Sequence, residues 1–376
     1  MTLIGHEDAL AWLRRALQTD RLAHAYLITG PRSVGKRTFA LEIAQALNCQ
    51  APDVAERPDH TCQHCRLIQR GVHPDVRVVR RAPERRMISM RPSAAGGPAR
   101  EYADNVFFIQ SDAQLKPVMG RAKVYVIVNA EELAEDAGNR LLKTIEEPPP
   151  FVVFLLTAVE RGGVLPTIAS RCQEIRLRPA PRATLAAALV ASGTAPERAE
   201  QLAALAGGRQ GWAVSAARES TLFEQQQTYA RQLVEALGGS RLERLLRARA
   251  LAERWASQPE MVRETLRVWM SWWRDVMLVQ LGLLDRVVHL EAGERAALTH
   301  AAELIDRPTA RQAAARIQQT LADLDTNVNA RLALDLLLLR LPAVPSRESH
   351  SPEGTQTTRD QAASTLGVVA RTVRYG

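Results

Sequence analysis

At 376 residues the chain is too long for one ordinary core, and about two to three domains are expected from length. Apolar residues make up 46% and charged residues 24%, a globular composition with no apolar run long enough to span a bilayer. The net charge of +8 comes mostly from scattered arginines, which points to a generally basic surface attractive to polyanions rather than to a dedicated DNA-reading face. The opening MTLIGHEDALAWLRRAL lacks the basic segment and apolar run of an export signal, so the cytoplasm is the expected location. Four cysteines are few for a disulfide scaffold of this size. Three of them, Cys49, Cys62 and Cys65, lie close together, which favours metal binding, and the fourth is Cys172.

In chain order, residues 9–17 read as a helix, and Ala25 to Thr29 as a short strand that stops at Gly30-Pro31. A helix is expected over 38–47, where Phe39, Ile43, Ala46 and Leu47 recur at helical spacing. Residues 77–79 suggest a second strand, and the Arg-, Pro- and Gly-rich stretch 81–100 a loop or insertion of low order. Two further buried strands, 124–128 and 152–156, flank a helix-like stretch over 131–146 that ends before Pro148-Pro149-Pro150. This β-α-β alternation predicts a parallel sheet covered by helices on both faces. From Ala183 onward the strand signals fade into Ala, Leu, Arg, Gln and Glu, and two helical layers are expected, over 179–240 and 241–342. Within the second, Trp269, Trp272 and Trp273 read as core, and the apolar stretch 332–341 must be largely enclosed, within its own domain or at a subunit interface. Residues 343–376, rich in Ser, Thr, Arg and Pro, read as a disordered tail.

The segment Gly30-Pro31-Arg32-Ser33-Val34-Gly35-Lys36-Arg37-Thr38 has the glycine and lysine spacing of a phosphate loop, set between a strand and a helix as the mechanism requires. Backbone N–H groups would curl around a β-phosphate, Lys36 would neutralise its charge, and the helix N-terminus would add its dipole. Arg37 stands where a Ser or Thr would ligate magnesium, and Thr38 comes one residue late. The neighbouring strand should end in an Asp that holds the magnesium shell and a Glu that polarises water. It ends instead in Val128-Asn129, so ATP binding is compatible with the loop while hydrolysis by this chain alone is not expected. Glu131 and Glu132 follow in the next turn and are expected to face solvent.

Cys62-x-x-Cys65 can place two thiolates on one tetrahedral ion, with Cys49 as a third ligand. A structural zinc site follows, its fourth ligand being Asp59, which continues the two-residue spacing, or His60, which is chemically better suited. His64 reads as an exposed loop histidine. Redox use of the C-x-x-C is disfavoured because no thioredoxin-like strand precedes it.

Taken together these residues resemble the delta-prime family of bacterial clamp-loader subunits, AAA+ components of the DNA polymerase III holoenzyme. The resemblance covers about residues 3–342. It rests on Ile4-Gly5-His6-Glu7, the approach His24-Ala25-Tyr26-Leu27, a zinc insertion followed by His73-Pro74-Asp75, the run 139–149 (NRLLKTIEEPP) and the trio Ser170-Arg171-Cys172. Trp272-Trp273-Arg274-Asp275 and the run 327–334 (NVNARLAL) extend it.

The resemblance implies an α/β P-loop domain over 1–178 with a zinc module at about 49–65, then all-α parts: a helical lid over 179–240 and a collar for oligomerisation over 241–342. It makes Arg171, flanked by Ser170 and Cys172, a finger presented to the ATP of a neighbouring subunit, which leaves Cys172 outside the metal site. It implies gamma/tau and delta subunits as partners in a hetero-oligomer that loads a sliding clamp on primed DNA, with no membrane contact. Three departures from the family pattern stand out: Asp59 in place of a cysteine, Gly211 where active relatives carry a phosphate-sensing Arg, and Val128-Asn129. An active ATPase subunit of the gamma/tau kind is the alternative, and Asp-Glu at 128–129 would have favoured it. A zinc-containing DNA-binding or signalling protein would need a basic helix with base-reading residues, and none is seen.

Overall fold

Runs of β-branched and aromatic residues build one fully parallel sheet at the heart of the first half of the chain. The structure, a computed structural model, describes residues 3–19, 21–81, 87–88, 106–288, 292–325 and 328–345. Strands β1 (Ala25–Thr29), β2 (Val76–Val79), β3 (Lys123–Ile127), β4 (Val152–Ala158) and β5 (Gln173–Arg176) lie in the order β2-β3-β4-β1-β5. Every pairing is parallel. β1, β3 and β4 are buried along their whole length, as continuous apolar strands must be when helices cover both faces. On one face Leu27, Tyr125 and Phe154 pack against Leu141 and Ile145 of helix Glu135–Glu146. On the other, Tyr26, Ile28, Val126 and Leu155 pack against Phe39 and Ile43 of helix Lys36–Asn48.

Three details differ from the sequence reading. The helix expected over 131–146 is interrupted: a 3-10 turn at Ala130–Glu132 is followed by extended backbone at Leu133 before helix Glu135–Glu146 begins. Ile88 explains the break, because its N–H donates to Glu132 O and its carbonyl accepts from Ala134 N, taking groups a continuous helix would have used. β5 was not anticipated, since it is an edge strand of Gln173, Glu174, Ile175 and Arg176 with little burial. Helix Gln63–Gln69, inside the cysteine-bearing segment, was also unexpected. The stretch 81–100 and the tail 343–376 fall, except for Arg81, residues 87–88 and residues 343–345, outside the described residues.

The chain divides into two compact units, Met1–Phe223 and Glu224–Gly376. In the first, helices Arg182–Ala191, Pro196–Ala206 and Gln210–Arg218 share a small core of Leu185, Leu189, Leu202, Ala203 and Ala213. The core changes within helix Ser220–Gly238, earlier than the break expected near residue 240, because Tyr229, Leu233 and Leu237 already belong to the second unit.

Among the described residues that second unit is helical, and its centre is the fully buried trio Trp269, Trp272 and Trp273 of helix Pro259–Gln280. A buried aromatic of this kind removes on the order of 150–250 Å² from water, several kcal/mol of driving force for each. Trp269 Nε1 donates to Tyr229 O at 2.9 Å. The buried Asp275 carboxylate accepts from Val288 N at 2.8 Å and pairs with Arg274. The stretch 332–341 is enclosed on one side only: Leu334, Leu337, Leu338 and Leu341 are buried, whereas Leu332, Leu336 and Leu339 of helix Ala330–Arg340 stand exposed.

Candidate functional site

Two glycines shape the loop after β1. Gly30 has φ 149°, and a Cβ there would lie 2.5 Å from the carbonyl oxygen of Leu177. Gly35, at φ 92°, makes the left-handed turn that starts helix Lys36–Asn48 and points its N-terminal N–H groups toward the loop. Lys36 is buried, and its ammonium donates to the carbonyls of Gly30 at 2.6 Å and Pro31 at 2.9 Å. Burial lowers its pKa to about 8, with the carboxylate of Glu131 acting the other way and the charge of Arg32 adding to the depression. Arg37 and Thr38 follow in the first turn of the helix, Arg37 exposed and Thr38 half-buried. The loop is also held from the helical part of the unit and from the N-terminal segment. Gly211 N donates to Ser33 O at 2.8 Å, Gln210 Nε2 donates to Ile4 O at 3.1 Å, and a ring nitrogen of His6 lies 2.9 Å from Val34 O.

β3 ends in Val128 and Asn129 on the same edge of the sheet as this loop, one strand removed from β1, with no carboxylate at either position. Asn129 takes up left-handed backbone (φ 57°), and its N–H donates to Thr157 Oγ1 at 3.0 Å. Glu131 corrects the sequence reading. It does not face solvent: its Oε1 accepts from Val159 N at 3.2 Å, and its Oε2 is buried without a hydrogen-bond partner among the described residues. The carbonyl of Val159 in turn accepts from Gly30 N at 3.1 Å, so one residue links this carboxylate to the phosphate loop. Burial raises the pKa of Glu131, against the opposing charges of Lys36 and Arg32. Glu132 turns away to Arg81 and Asn129. A buried lysine in need of a counter-charge was the signal in the sequence, but the direction of Glu131 is set by β4, which periodicity does not reveal.

The cysteine segment gathers as its spacing suggests. Ligand atoms of Cys49, Asp59, Cys62 and Cys65 all lie within 4.8 Å of one another. A tetrahedral zinc with bonds of about 2.0–2.3 Å needs ligand atoms a little under about 4 Å apart, so three thiols and a carboxylate fit with a small contraction. The backbone N–H of Cys62, and then that of Thr61, hold the Asp59 carboxylate down at a pKa of about 2, opposed by slight burial. Burial pushes the Cys65 thiol up. His60 stands elsewhere, its Nε2 3.2 Å from Glu42 Oε1. His64 is buried, not exposed as the sequence suggested, with its Nδ1 2.9 Å from His73 Nε2. Because Asp75 N donates to His73 Nδ1, His73 carries its proton on Nε2 and donates to His64.

Arg171 follows the short helix Pro166–Ala169 at the surface, flanked by Ser170 and Cys172. Its guanidinium pairs with Glu146, while Nη1 donates to Thr167 O at 2.9 Å and Ser170 Oγ at 3.3 Å. Both partners of the ion pair are about two-fifths exposed (39% and 44%), so the pair orients the arginine without trapping it. Cys172 is buried, and burial, partly offset by Arg161, pushes its thiol up to about 11.

Residues 5–181 match the family described as DNA polymerase III, delta subunit. The DNA polymerase III subunit tau/gamma of Haemophilus influenzae is 36% identical over 176 residues, covering 47% of this chain and 23% of that protein. The DNA polymerase III subunit delta' of Pseudomonas aeruginosa is 37% identical over 191 residues, 50% of this chain and 53% of that one. The chain thus spans about a quarter to a half of the length of these relatives. Among solved structures, a DNA polymerase III gamma subunit-related protein of Thermotoga maritima superposes with a TM-score of 0.43 at 17% identity over 88% of this chain and 97% of that one, a likeness too distant to add to the reading of the site. Residues 5–181, just under half of the chain, are thus similar to DNA polymerase III subunits of the delta, delta' and tau/gamma kinds.

Proposed function

We propose that the chain is a non-hydrolysing, delta-prime-like subunit of the replicative clamp loader, which supplies Arg171 to the ATP of a neighbouring subunit and helps load a sliding clamp on primed DNA. The observation that carries this reading is the end of β3, where Val128 and Asn129 occupy the two positions at which a hydrolytic loop needs carboxylates to hold magnesium and activate water. The exposed, oriented guanidinium of Arg171 supports the second half, because a cation inserted from outside offsets charge on a transferring phosphoryl group. In this reading the first unit provides the P-loop domain and lid, and the second provides the collar that joins gamma/tau and delta subunits in a cytoplasmic replisome. Cys49, Asp59, Cys62 and Cys65 would hold a zinc ion whose contribution is structural, cross-linking residue 49 to the segment 59–65.

The test is Arg171→Ala in the reconstituted complex. Assembly should persist while clamp- and DNA-stimulated ATP hydrolysis by the partner subunits falls by about a thousandfold. Unchanged hydrolysis would sink the finger. The alternative, an active ATPase of the gamma/tau kind, is favoured by one observation, that a tau/gamma relative (36% identical over 176 residues) is about as similar as the delta' one (37% over 191). ATP turnover by the purified chain above background would support it.

A further inference from the structure

At one corner of the second unit several large apolar side chains stand in the open. Leu281 and Leu304 are 51% and 50% exposed, and Leu283 and Leu284 are exposed as well. Helix Pro259–Gln280 runs into the turn that carries Leu281 to Leu284, and helix Ala292–Leu304 ends at Leu304. Gln280 ties the two helix ends together, its Nε2 donating to the carbonyls of Ala302 at 3.2 Å and Ile305 at 2.5 Å. Single exposed leucines are ordinary on a protein surface, but leucines gathered at one corner make a patch that calls for a cover. The chain itself passes this patch. Val344 is buried and its N–H donates to Leu237 O at 3.0 Å, and the carbonyl of Pro345 accepts from His300 Nε2 at 2.8 Å. His300 precedes Leu304 by one helical turn, about 6 Å, on the same face of helix Ala292–Leu304. Pro345 is thus held close to the patch.

From Pro345 the sequence continues for 31 residues. The first 20 of these, 346–365, contain no Val, Leu, Ile, Met, Phe, Tyr or Trp, whereas the next ten hold Leu366, Val368, Val369, Val373 and Tyr375. A polar spacer therefore separates a fixed exit point from a short apolar segment. We propose that residues 366–375 dock on the patch formed by Leu281, Leu283, Leu284 and Leu304 of the same chain. A flexible spacer of that length has a root-mean-square span of about 25 Å, several times the distance from the exit to Leu304, so reach does not limit the contact. Tethering gives the segment an effective concentration on the order of 1 mM at the patch, an advantage that no free partner has. Docking removes apolar surface of both sides from water, which is the driving force, and no new charge is buried. A contact held largely by its tether keeps the apolar corner covered and still yields to a tighter competitor. The inference goes beyond the function proposed above and does not depend on it.

The experiment is millisecond hydrogen exchange, read by mass spectrometry, on the purified full chain, with a synthetic peptide of residues 361–376 as the free reference. Expected is exchange of the 366–375 amides about tenfold slower in the chain than in the peptide, unchanged when the chain is diluted about a hundredfold. In the double variant Leu281→Ser with Leu304→Ser, both at exposed positions, those amides should return to the peptide's rate while circular dichroism and melting stay as in wild type. Leu283→Ser with Leu284→Ser, in the turn outside both α-helices, should do the same. Exchange at the peptide's rate in the unaltered chain, or protection that survives both double variants, would overturn the proposal. Protection that disappears on dilution would overturn it as well, by making a second copy of the chain the occupant.

Discussion

Lys36 shows how burial sets chemistry at a single residue. Its ammonium is held near pKa 8 by desolvation, although Glu131 opposes the shift. A bound phosphate would raise that pKa, so binding takes up no proton below about pH 8 and must take one up above it. Affinity for a polyphosphate should therefore be flat from about pH 6.5 to 7.5 and fall as the pH rises beyond 8, approaching about tenfold per pH unit. Titration at stepped pH checks this, and Lys36→Arg, which stays charged throughout, should abolish the dependence. Glu131 is the residue whose place the sequence did not disclose. The glycines, Lys36, Cys62 and Cys65 could be read because local spacing fixes what they can do. The position of Glu131 depends on a contact with Val159, 28 residues away along the chain.

At the scale of elements, the His73-Pro74-Asp75 motif acquires a physical reason. Asp75, just before β2, accepts from the backbone N–H groups of Val118, Met119 and Gly120 at 2.6, 2.9 and 2.7 Å. Asn48, at the end of helix Lys36–Asn48, does the same for Arg121 and Ala122 at 2.8 and 3.0 Å. Two side chains thus satisfy five consecutive donors and fix the approach to β3, which ends in Val128-Asn129. Burial alone would raise the Asp75 pKa, but the three N–H donors outweigh it and hold the carboxyl below its usual range. Its contribution is accordingly present above about pH 4 and lost as the pH falls through the depressed value. Asp75→Asn should cost about 1–3 kcal/mol at neutral pH, because an amide N–H then faces backbone donors. Urea denaturation at pH 7 and near pH 3 should show the gap between variant and wild type narrowing in acid.

The buried strands β1, β3 and β4 were legible because strands covered on both faces need continuous apolar runs. β5 and the turn at Ala130–Glu132 were not, since an edge position and the backbone of Ile88, respectively, decide them.

For the whole molecule, the second unit leaves apolar rows uncovered on two helices that pack together, Arg241–Ser257 and Ala330–Arg340. Leu242 and Leu246 are 66% and 56% exposed on the first, and Leu332 is 65% exposed on the second, with Leu336 and Leu339 also exposed. Helix Arg241–Ser257 is secured independently, by the Ser240–Glu243 capping box and by Arg244, whose buried guanidinium donates to the carbonyls of Leu237 and Leu341 at 2.8 and 2.7 Å. Changing the exposed leucines should leave the helices in place. In the proposed collar role, Leu246→Glu with Leu336→Glu should preserve helicity and melting behaviour while abolishing co-elution with clamp-loader partners, measured by circular dichroism and size-exclusion chromatography. Normal co-elution would remove the surface from the interface.

The hydrogen bonds from Lys36 to the carbonyls of Gly30 and Pro31 carry a kinetic consequence. An incoming phosphate would not meet a bare ammonium; it would replace two oxygens that already solvate it. Capture is then an exchange of acceptors, its net strength being the small difference between two strong sets of bonds. The loop would have to release its own carbonyls before such a ligand was fully engaged, which would make arrival and tight seating separable steps in time.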